Sequence, residues 1–538
     1  MERSMALKGK KGWAIGATIM LCILVVLVIA INLILPRFFE EKVRKRMSAI
    51  NPNIHVSFTS LQVNILSSSL RLNNLQVSVS TDGKNPENDE VFSFRYCTLR
   101  GIRFLKAYSE HKLVARKLEL EGGRIALHQE AIDKLDSVLQ NSSSGTNGSI
   151  KEISLRQLTL DQCDVSMKLK EKGELSTNAT VNLFEIHFLP GSKHDSANSL
   201  LQGMDILLNE FRCPVEDSAM NIRIKALSVN SMEGTMKIDS FYVTPNYGKI
   251  EYAHKLGHQV DRIDAKVGSI ACLNAEPLKM LSGELKGKEI IIQGVKAEIF
   301  RDRRVEMKME KKPMPLDYLK DIPLTVDVNK LTMKNANLSY EEFPKDGDKS
   351  GTLKIENLQM SITPFINQIE GKQDHLTIEA ESSIMDAGQV NVTMQVPLSP
   401  KENYYANGAF TGLKLVSLDG AAKNLGGFHI ESGVLDHLSF EFSLTSVKSS
   451  GKIIGEYHNL VLDKLKKDDK GKKKPDPIKS FALQHLIIPK DKDKSLPVEK
   501  RTGKVDFTRD QYRNFPHYLL HSLLSGIKAS FDLGFLLP

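Results

Sequence analysis

Two histidines four residues apart, His254 and His258 in "HKLGH", have the spacing at which one helix face offers two imidazoles to a metal ion. Gly257 and the polar residues around them read instead as a loop, and no neighbouring cysteine or second histidine pair completes a coordination sphere. Further on, "FRDRRVEMKMEKK" sets Asp302 among Arg301, Arg303 and Arg304. Guanidinium groups grip phosphate through paired hydrogen bonds, so this cluster has the chemistry to hold a headgroup phosphate. The simpler reading is that these charges, with Glu306, satisfy one another at a solvated strand end. Carboxylates also accompany Tyr340 in "YEE" and occur at Asp468 and Asp469, with nothing beside them to act as nucleophile or proton acceptor. The phosphate-cradling, dinucleotide, zinc-protease and nucleophile-elbow motifs are absent. The expectation is no enzyme, no cofactor and no metal.

The 538 residues, 41% hydrophobic and 7% aromatic, describe a chain that folds. A formal charge of +8 is spread along the length and does not imply nucleic acid. The densest basic run, "KLKKDDKGKKKPDP" from Lys464, reads as a solvated loop between strands, with contact to anionic lipid headgroups as the alternative. Cys22 lies in an apolar segment, and Cys97, Cys163, Cys213 and Cys272 sit in or beside strand-like stretches as small buried thiols. Their spacing sets no disulfide framework and leaves a single pair open.

Strands must position whatever the chain does. "LRLNNLQVSV" alternates, then changes phase: Leu70 and Leu72 are even-numbered, Leu75, Val77 and Val79 odd. "LKIENLQMSI" from Leu353 repeats the form. One extra residue sends later side chains to the other face unless the backbone bulges, so a bulge or tight turn is expected at each break. Similar stretches start at Ile153, Ile222, Val326 and Phe481, and in three extended copies Gly123, Cys163 and Ala336 take matching positions. Helices are expected at "EAIDKLDSVL" from Glu130 and "SANSLLQGMDILL" from Ser196.

Residues 12–36 carry no charge and include 23 largely apolar residues from Trp13 to Leu35, against the roughly 20 needed to span a bilayer. The expected organisation is a short cytoplasmic N-terminus at 1–11, a transmembrane helix at 12–36 and an amphipathic helix at 37–50. A β-rich body at 51–512 follows, then an amphipathic C-terminal helix and tail at 513–538. In that last segment Phe515, Leu519, Leu520, Leu523, Leu524 and Ile527 form the apolar stripe and Pro516 suits the first turn.

Alternating strands make a sheet with one apolar face, and that face needs cover. A second sheet, a closed barrel and a helix layer are ordinary solutions; lipid is another. A long sheet curled at its bulges forms a groove for acyl chains, and the groove-facing candidates are Val56, Phe58, Leu70, Leu72, Leu75, Val77, Leu358, Met360 and Ile362. The alternative is a non-enzymatic scaffold whose face is filled by a partner protein.

"LPRFFEEKVRKRMSAINPNIHVSFTSLQVNILSSSLRLNNLQVSV" resembles the opening of the AsmA-like proteins of the Gram-negative envelope, relatives of TamB and the bridge-like lipid transfer proteins. "VTPNYGKIEYAHKLGHQVDRIDAKVGSI", "EIFRDRR", "NLSYEEFPKDGDKSGTLKIENLQMSI", "GKIIGEYHNLVLDKL" and "YLLHSLLSGIKASFDLGF" are similar to a subgroup of unknown function. The resemblance implies a single-pass inner-membrane anchor, a periplasmic body formed by an elongated, curled antiparallel β-groove with a few helices, and phospholipid, with possible envelope proteins, as partners. Its implied role is lipid transport or outer-membrane homeostasis; no catalytic residues come with it.

Overall fold

The structure is a computed structural model that describes residues 40, 41, 43, 54–64, 66–79, 90–127, 151–169, 173–189, 200–215, 219–368, 375–399, 402–467, 473–484 and 488–530. It is mainly β, 62% strand against 16% helix. The anchor expected at 12–36, most of the helix at 37–50, the helix from Glu130 and the final residues 531–538 lie outside the described residues. No described helix is long and apolar enough to cross a membrane. The chain divides into two compact units, Met1–Glu210 and Phe211–Pro538.

In the first unit β1 (Ile54–Ser57) and β2 (Ser60–Asn64) lie end to end along β3 (Ser69–Val79). β4 (Glu90–Arg100) and β5 (Lys112–Leu127) follow antiparallel, joined through the short helix α1 (Phe104–Ser109). β6 (Glu152–Leu169) then runs parallel to β5, and β7 (Gly173–Phe188) returns beside it. β8 (Gly203–Val215) passes through the point where the units divide.

The second unit opens with β9 (Met220–Asn230), β10 (Thr235–Pro245) and β11 (Asp261–Leu273), antiparallel in sequence order, with α2 (Lys249–Leu256) before β11. β12 (Glu284–Gln293) and β13 (Lys296–Asp302) together pair with β11 on one side and, in parallel, with β14 (Thr325–Phe343) on the other. The helix α3 (Pro315–Lys320) precedes β14. β15 (Gly351–Thr363), β16 (Phe365–Ile366), β17 (His375–Ile384), β18 (Gly388–Pro397), β19 (Tyr404–Lys414), β20 (Phe428–Leu444) and β21 (Lys448–Lys467) continue the antiparallel order. β22 (Lys473–Pro475) pairs with the end of β21 and leads into α4 (Pro477–Ala482). β23 (Thr502–Thr508) pairs with the start of β21, before the last helix, α5 (Phe515–Ser530).

The phase breaks are left-handed residues. Asn74 has φ 50°, Asn357 54°, and Gly122, Gln162 and Asn335 take the same conformation in the extended copies. Asparagine and glycine tolerate it best. At Asn74 one residue is left out on each strand, so that Asn73 faces Tyr96 and Leu75 faces Phe94 with no shift of register and no bulge, whereas the register does shift around Gln162, Asn335 and Asn357. Leu70, Leu72 and Leu75 pack in one cluster despite the change of phase, with the left-handed Asn74 between them. In the second unit the breaks line up into a seam: Gly268 N–H donates to Gly294 O, and Gly294 N–H to Lys334 O, beside Asn335. The Asn335 side chain accepts from Gln359 at 3.0 Å, two residues beyond Asn357. Cys163 and Ala336 are fully buried at the breaks, and a Cβ on Gly123 would strike the Phe94 ring. Replacing Asn335 or Asn357 with valine is expected to cost about 1–2 kcal/mol in urea unfolding, while glycine holds near wild type. Equal tolerance of valine and glycine would remove the backbone argument.

Several expectations need correcting. The sheet is mixed rather than antiparallel: β5–β6, β12–β14 and β13–β14 pair in parallel, because the long connections before β6 and β14 let the chain return in the same direction. The basic run from Lys464, expected as a loop, lies in β21 at 464–467 and in β22 at Lys473–Pro475. The "MDILL" portion of the helix expected from Ser196 belongs to β8, with Met204 buried, so sheet formation overrides a spacing that reads as helical. The strand expected from Phe481 is instead the end of α4, whose start Asp476 caps by accepting from Lys479 N–H, with Pro477 at the first helical position. The closest-packed face of α5 is Phe515, Tyr518, Ser522 and Gly526 rather than the leucine stripe. Leu519, Leu523 and Ile527 flank that face, and Leu520 is exposed. Small residues win because they let the helix backbone approach the sheet: Gly526 sits against Val505 and Ile453, and Ser522 Oγ lies 2.7 Å from Ser449 Oγ. On the flank, burial followed by the nearby His521 and Arg513 lowers His517 to about 4, so α5 docks with a neutral imidazole.

Candidate functional site

The arginines singled out by sequence pair with carboxylates of the same unit. Arg301 grips Asp261 through two hydrogen bonds of 2.7 and 2.5 Å. Arg303 bonds Glu342 at 3.0 Å, and Tyr340 donates its hydroxyl to the same carboxylate at 2.8 Å. Burial raises the Tyr340 phenol far above its ordinary range, so it stays protonated. Arg304 holds the buried Asp302 through both oxygens, and that hydrogen bonding keeps the Asp302 carboxyl low. All three guanidiniums thus have carboxylate partners; Arg304–Asp302 lies within the cluster as expected, but Arg301 and Arg303 pair with Asp261 and Glu342 instead of Glu306, and Asp302 is buried rather than solvated.

His254 stands on α2 rather than in a loop, while Gly257, at φ 75°, ends the helix before His258. His258 Nδ1 lies 2.8 Å from Leu256 O, and His254 Nε2 is 3.7 Å from Asp302. Among the described residues no group of three potential ligands is placed to hold a metal. The four described cysteines are free, and burial lifts the Cys97 thiol to about 11, which suits packing rather than reactivity. Asp468 and Asp469 lie outside the described residues.

The apolar residues behave differently: strand register gathers them into rows. In the first unit Leu70 faces Leu99, Leu99 faces Leu118, Leu118 faces Leu158 and Leu158 faces Leu183, all half-buried. Beyond the bulges a second row runs Val56, Val77, Phe92, Ile125 and Val165. Of the candidates here, Phe58 and Leu72 are buried in a cluster with Leu61 and Val63, with Leu70, Leu75 and Val43 packed against it. Val56 and Val77 face each other in the second row.

In the second unit a row passes through Leu227, Ile238, Ile270, Ile292, Met333 and Met360 on successive strands. Ile362 lies between Leu331 and Ile378 in the adjoining row, and Leu358 faces Ala336. Past Met360 the row continues through Ala380, Val392, Gly408, Phe440, Ile453 and Gly503, where α5 lies against it. The end under α5 is core, with Phe440 and Ile453 buried; the six residues from Leu227 to Met360 are only half-buried. At about 4.8 Å per strand these six span roughly 24 Å, longer than the ~15 Å hydrocarbon depth of one bilayer leaflet. A shallow depression of ≈ 380 Å³ at the same strands mixes Lys266, Lys296, Asp264 and Glu298 with apolar residues, a lining too polar for an acyl chain.

No family model and no curated protein matches the chain. The register is what draws attention to residues that sequence reasoning passed over, among them Leu99, Leu118, Leu158, Ile292 and Met333. Each sits in an alternating stretch, which is the available signal. Which of them become neighbours depends on pairings such as the parallel β5–β6 and β12–β14 contacts, to which no local pattern points.

Proposed function

We propose that this chain is an AsmA-like protein of the cell envelope that handles phospholipid. Acyl chains lie along the apolar rows of a β-groove while headgroups remain in water. In this reading the N-terminal segment anchors the protein in the inner membrane and the body occupies the periplasm, serving lipid transport or outer-membrane homeostasis. The observation that carries it is the set of half-buried apolar rows running unbroken across successive strands. A row along the hydrogen-bonding direction offers a continuous apolar track, and contact with it recovers up to about 0.8 kcal/mol per methylene covered. That gain offsets the similar cost of drawing the methylene from a bilayer, so transfer needs little driving energy.

The test is cross-linking of a photoactivatable phospholipid to the full-length protein. Leu118→Asp with Leu158→Asp, and Met333→Asp with Met360→Asp, place charge where the chain would lie and are expected to lower labelling about tenfold or more. Circular dichroism checks that each variant remains folded. Wild-type labelling in folded variants would defeat the reading. Mass spectrometry of gently extracted protein separates the scaffold alternative, which expects a partner protein and no stoichiometric phospholipid.

A further inference from the structure

Within the second unit, the chain that follows β13 meets the approach to α5. Lys312 N–H donates to Gln511 O at 2.8 Å, and Arg509, 7% exposed, donates to Lys312 O at 2.7 Å. Gln259, just before β11, reaches the same place from a third direction. Its amide donates to Arg303 O at 3.2 Å and Val305 O at 2.8 Å, and its Oε1 accepts from Arg513 at 3.4 Å. Gln259 thus links the backbone of Arg303 to the guanidinium of Arg513. The first turns of α5 add His517 and His521, whose rings stack 4.1 Å apart.

The underpaired guanidinium here is Arg513. Asp261 is taken by Arg301 through both oxygens, and Glu342 by Arg303 and Tyr340. The Arg513 side chain is only 14% exposed, yet it approaches Asp510 no closer than 3.8 Å, outside hydrogen-bonding distance. Burial first, then repulsion from Arg303 and Arg301, disfavours its charged form more than Asp510 and Glu342 favour it. Two buried nitrogens of the same group, Arg303 Nε and His517 Nδ1, have no hydrogen-bond partner among the described residues. Burial, followed by Lys528 and Arg303, lowers His521 as it does His517, so the stacked rings are neutral and each has one N–H to donate. Burying a weakly paired cation beside unpartnered nitrogens is unfavourable, and an acceptor of several hydrogen bonds would relieve it. The Arg303 side chain is 40% exposed, which leaves access from solvent.

We propose that Arg303, Arg513, His517 and His521 form a binding site for a phosphate group, with Gln259 fixing Arg513 against the backbone of Arg303. The donors select the ligand. Guanidinium forks match phosphate oxygens, and a phosphate has enough of them to meet two guanidiniums and an imidazole together. A lipid headgroup and free phosphate present the same oxygens. None of the four side chains belongs to the apolar rows, so the site stands whether or not those rows hold lipid.

Isothermal titration calorimetry on the full-length protein tests it with inorganic phosphate and with glycerol 3-phosphate, the water-soluble part of the simplest phospholipid; glycerol is the blank. At least one phosphate probe is expected to bind with a dissociation constant below about 1 mM, and glycerol should give no binding heat. Glycerol 3-phosphate about tenfold tighter assigns the site to a headgroup; phosphate of equal or higher affinity assigns it to the free ion. Arg513→Gln should weaken binding about tenfold or more, and Arg513→Lys should recover part of the loss. His517→Phe keeps a ring against His521 but removes the nitrogens, and should weaken binding about threefold or more. Arg156→Gln, in the first unit with a side chain 73% exposed, is the control and should bind as wild type. Circular dichroism checks the fold of each variant. No binding of either probe up to about 10 mM would overturn the proposal. So would wild-type affinity in folded Arg513→Gln, wild-type affinity in His517→Phe should Arg513→Gln not fold, or an equal loss in the Arg156→Gln control.

Discussion

Truncation of the chain after Asn514 is expected to leave a protein that aggregates or is rapidly proteolysed, because α5 supplies part of the second unit's core. Phe515 is 7% exposed and Tyr518 1%; Phe515 packs on Tyr404, and Tyr518 lies near Phe507. Removing two buried aromatic side chains costs about 3–5 kcal/mol each, which approaches the 5–15 kcal/mol that holds a typical domain together. The loss also uncovers Val505 and Ile453, now in contact with Gly526. Tyr518 further donates its hydroxyl to Thr445 O at 3.2 Å, tying α5 to the turn before β21. Urea unfolding and limited proteolysis read the effect; a truncated protein with the wild-type midpoint would show that α5 is an appendage.

The contrast between α5 and the strands shows what a sequence makes legible. Alternation in "LRLNNLQVSV" and "LKIENLQMSI" points to β3 and β15, and the repeated Asn marks the bulges because few side chains accept a left-handed backbone. The cluster shared by Leu70, Leu72 and Leu75 spans the left-handed Asn74, where the register does not shift and the expected bulge is absent. Burial depth does not: Phe58 and Leu72 close a local core while Leu70 remains half-buried, and the difference arises from Leu61, Val63 and other neighbours placed by folding. The charged motif at Arg301 to Arg304 was legible as self-satisfying, but Asp261 and Glu342 are partners brought in by β11 and β14. In α5 large apolar residues suggested the buried face, whereas the closest approach selected Ser522 and Gly526. Side-chain size at a contact is set by the distance between backbones, a tertiary quantity.

That distance makes Gly503→Val the most damaging single substitution expected at the junction of β23 and α5. A Cβ at Gly503 would overlap the carbonyl oxygen of Gly526 and lie 2.9 Å from Ser530 Cβ. The obstruction includes backbone, so no rotamer relieves it and α5 must lift from the sheet. Lifting opens a gap above Ile453 and Val505, so overpacking at one point creates underpacking beside it. The combined cost is expected to reach about 3 kcal/mol or more. Gly248→Ala is the control: its added Cβ meets nothing within 4 Å and its φ of −60° is ordinary, so only the exchange of a glycine for an alanine N-cap on α2 acts, at no more than about 1 kcal/mol. Denaturant midpoints compare the two, and exchange protection in 515–530 locates the damage. If Gly503→Val unfolds with the control's midpoint and its α5 amides stay protected, the helix does not depend on that close approach.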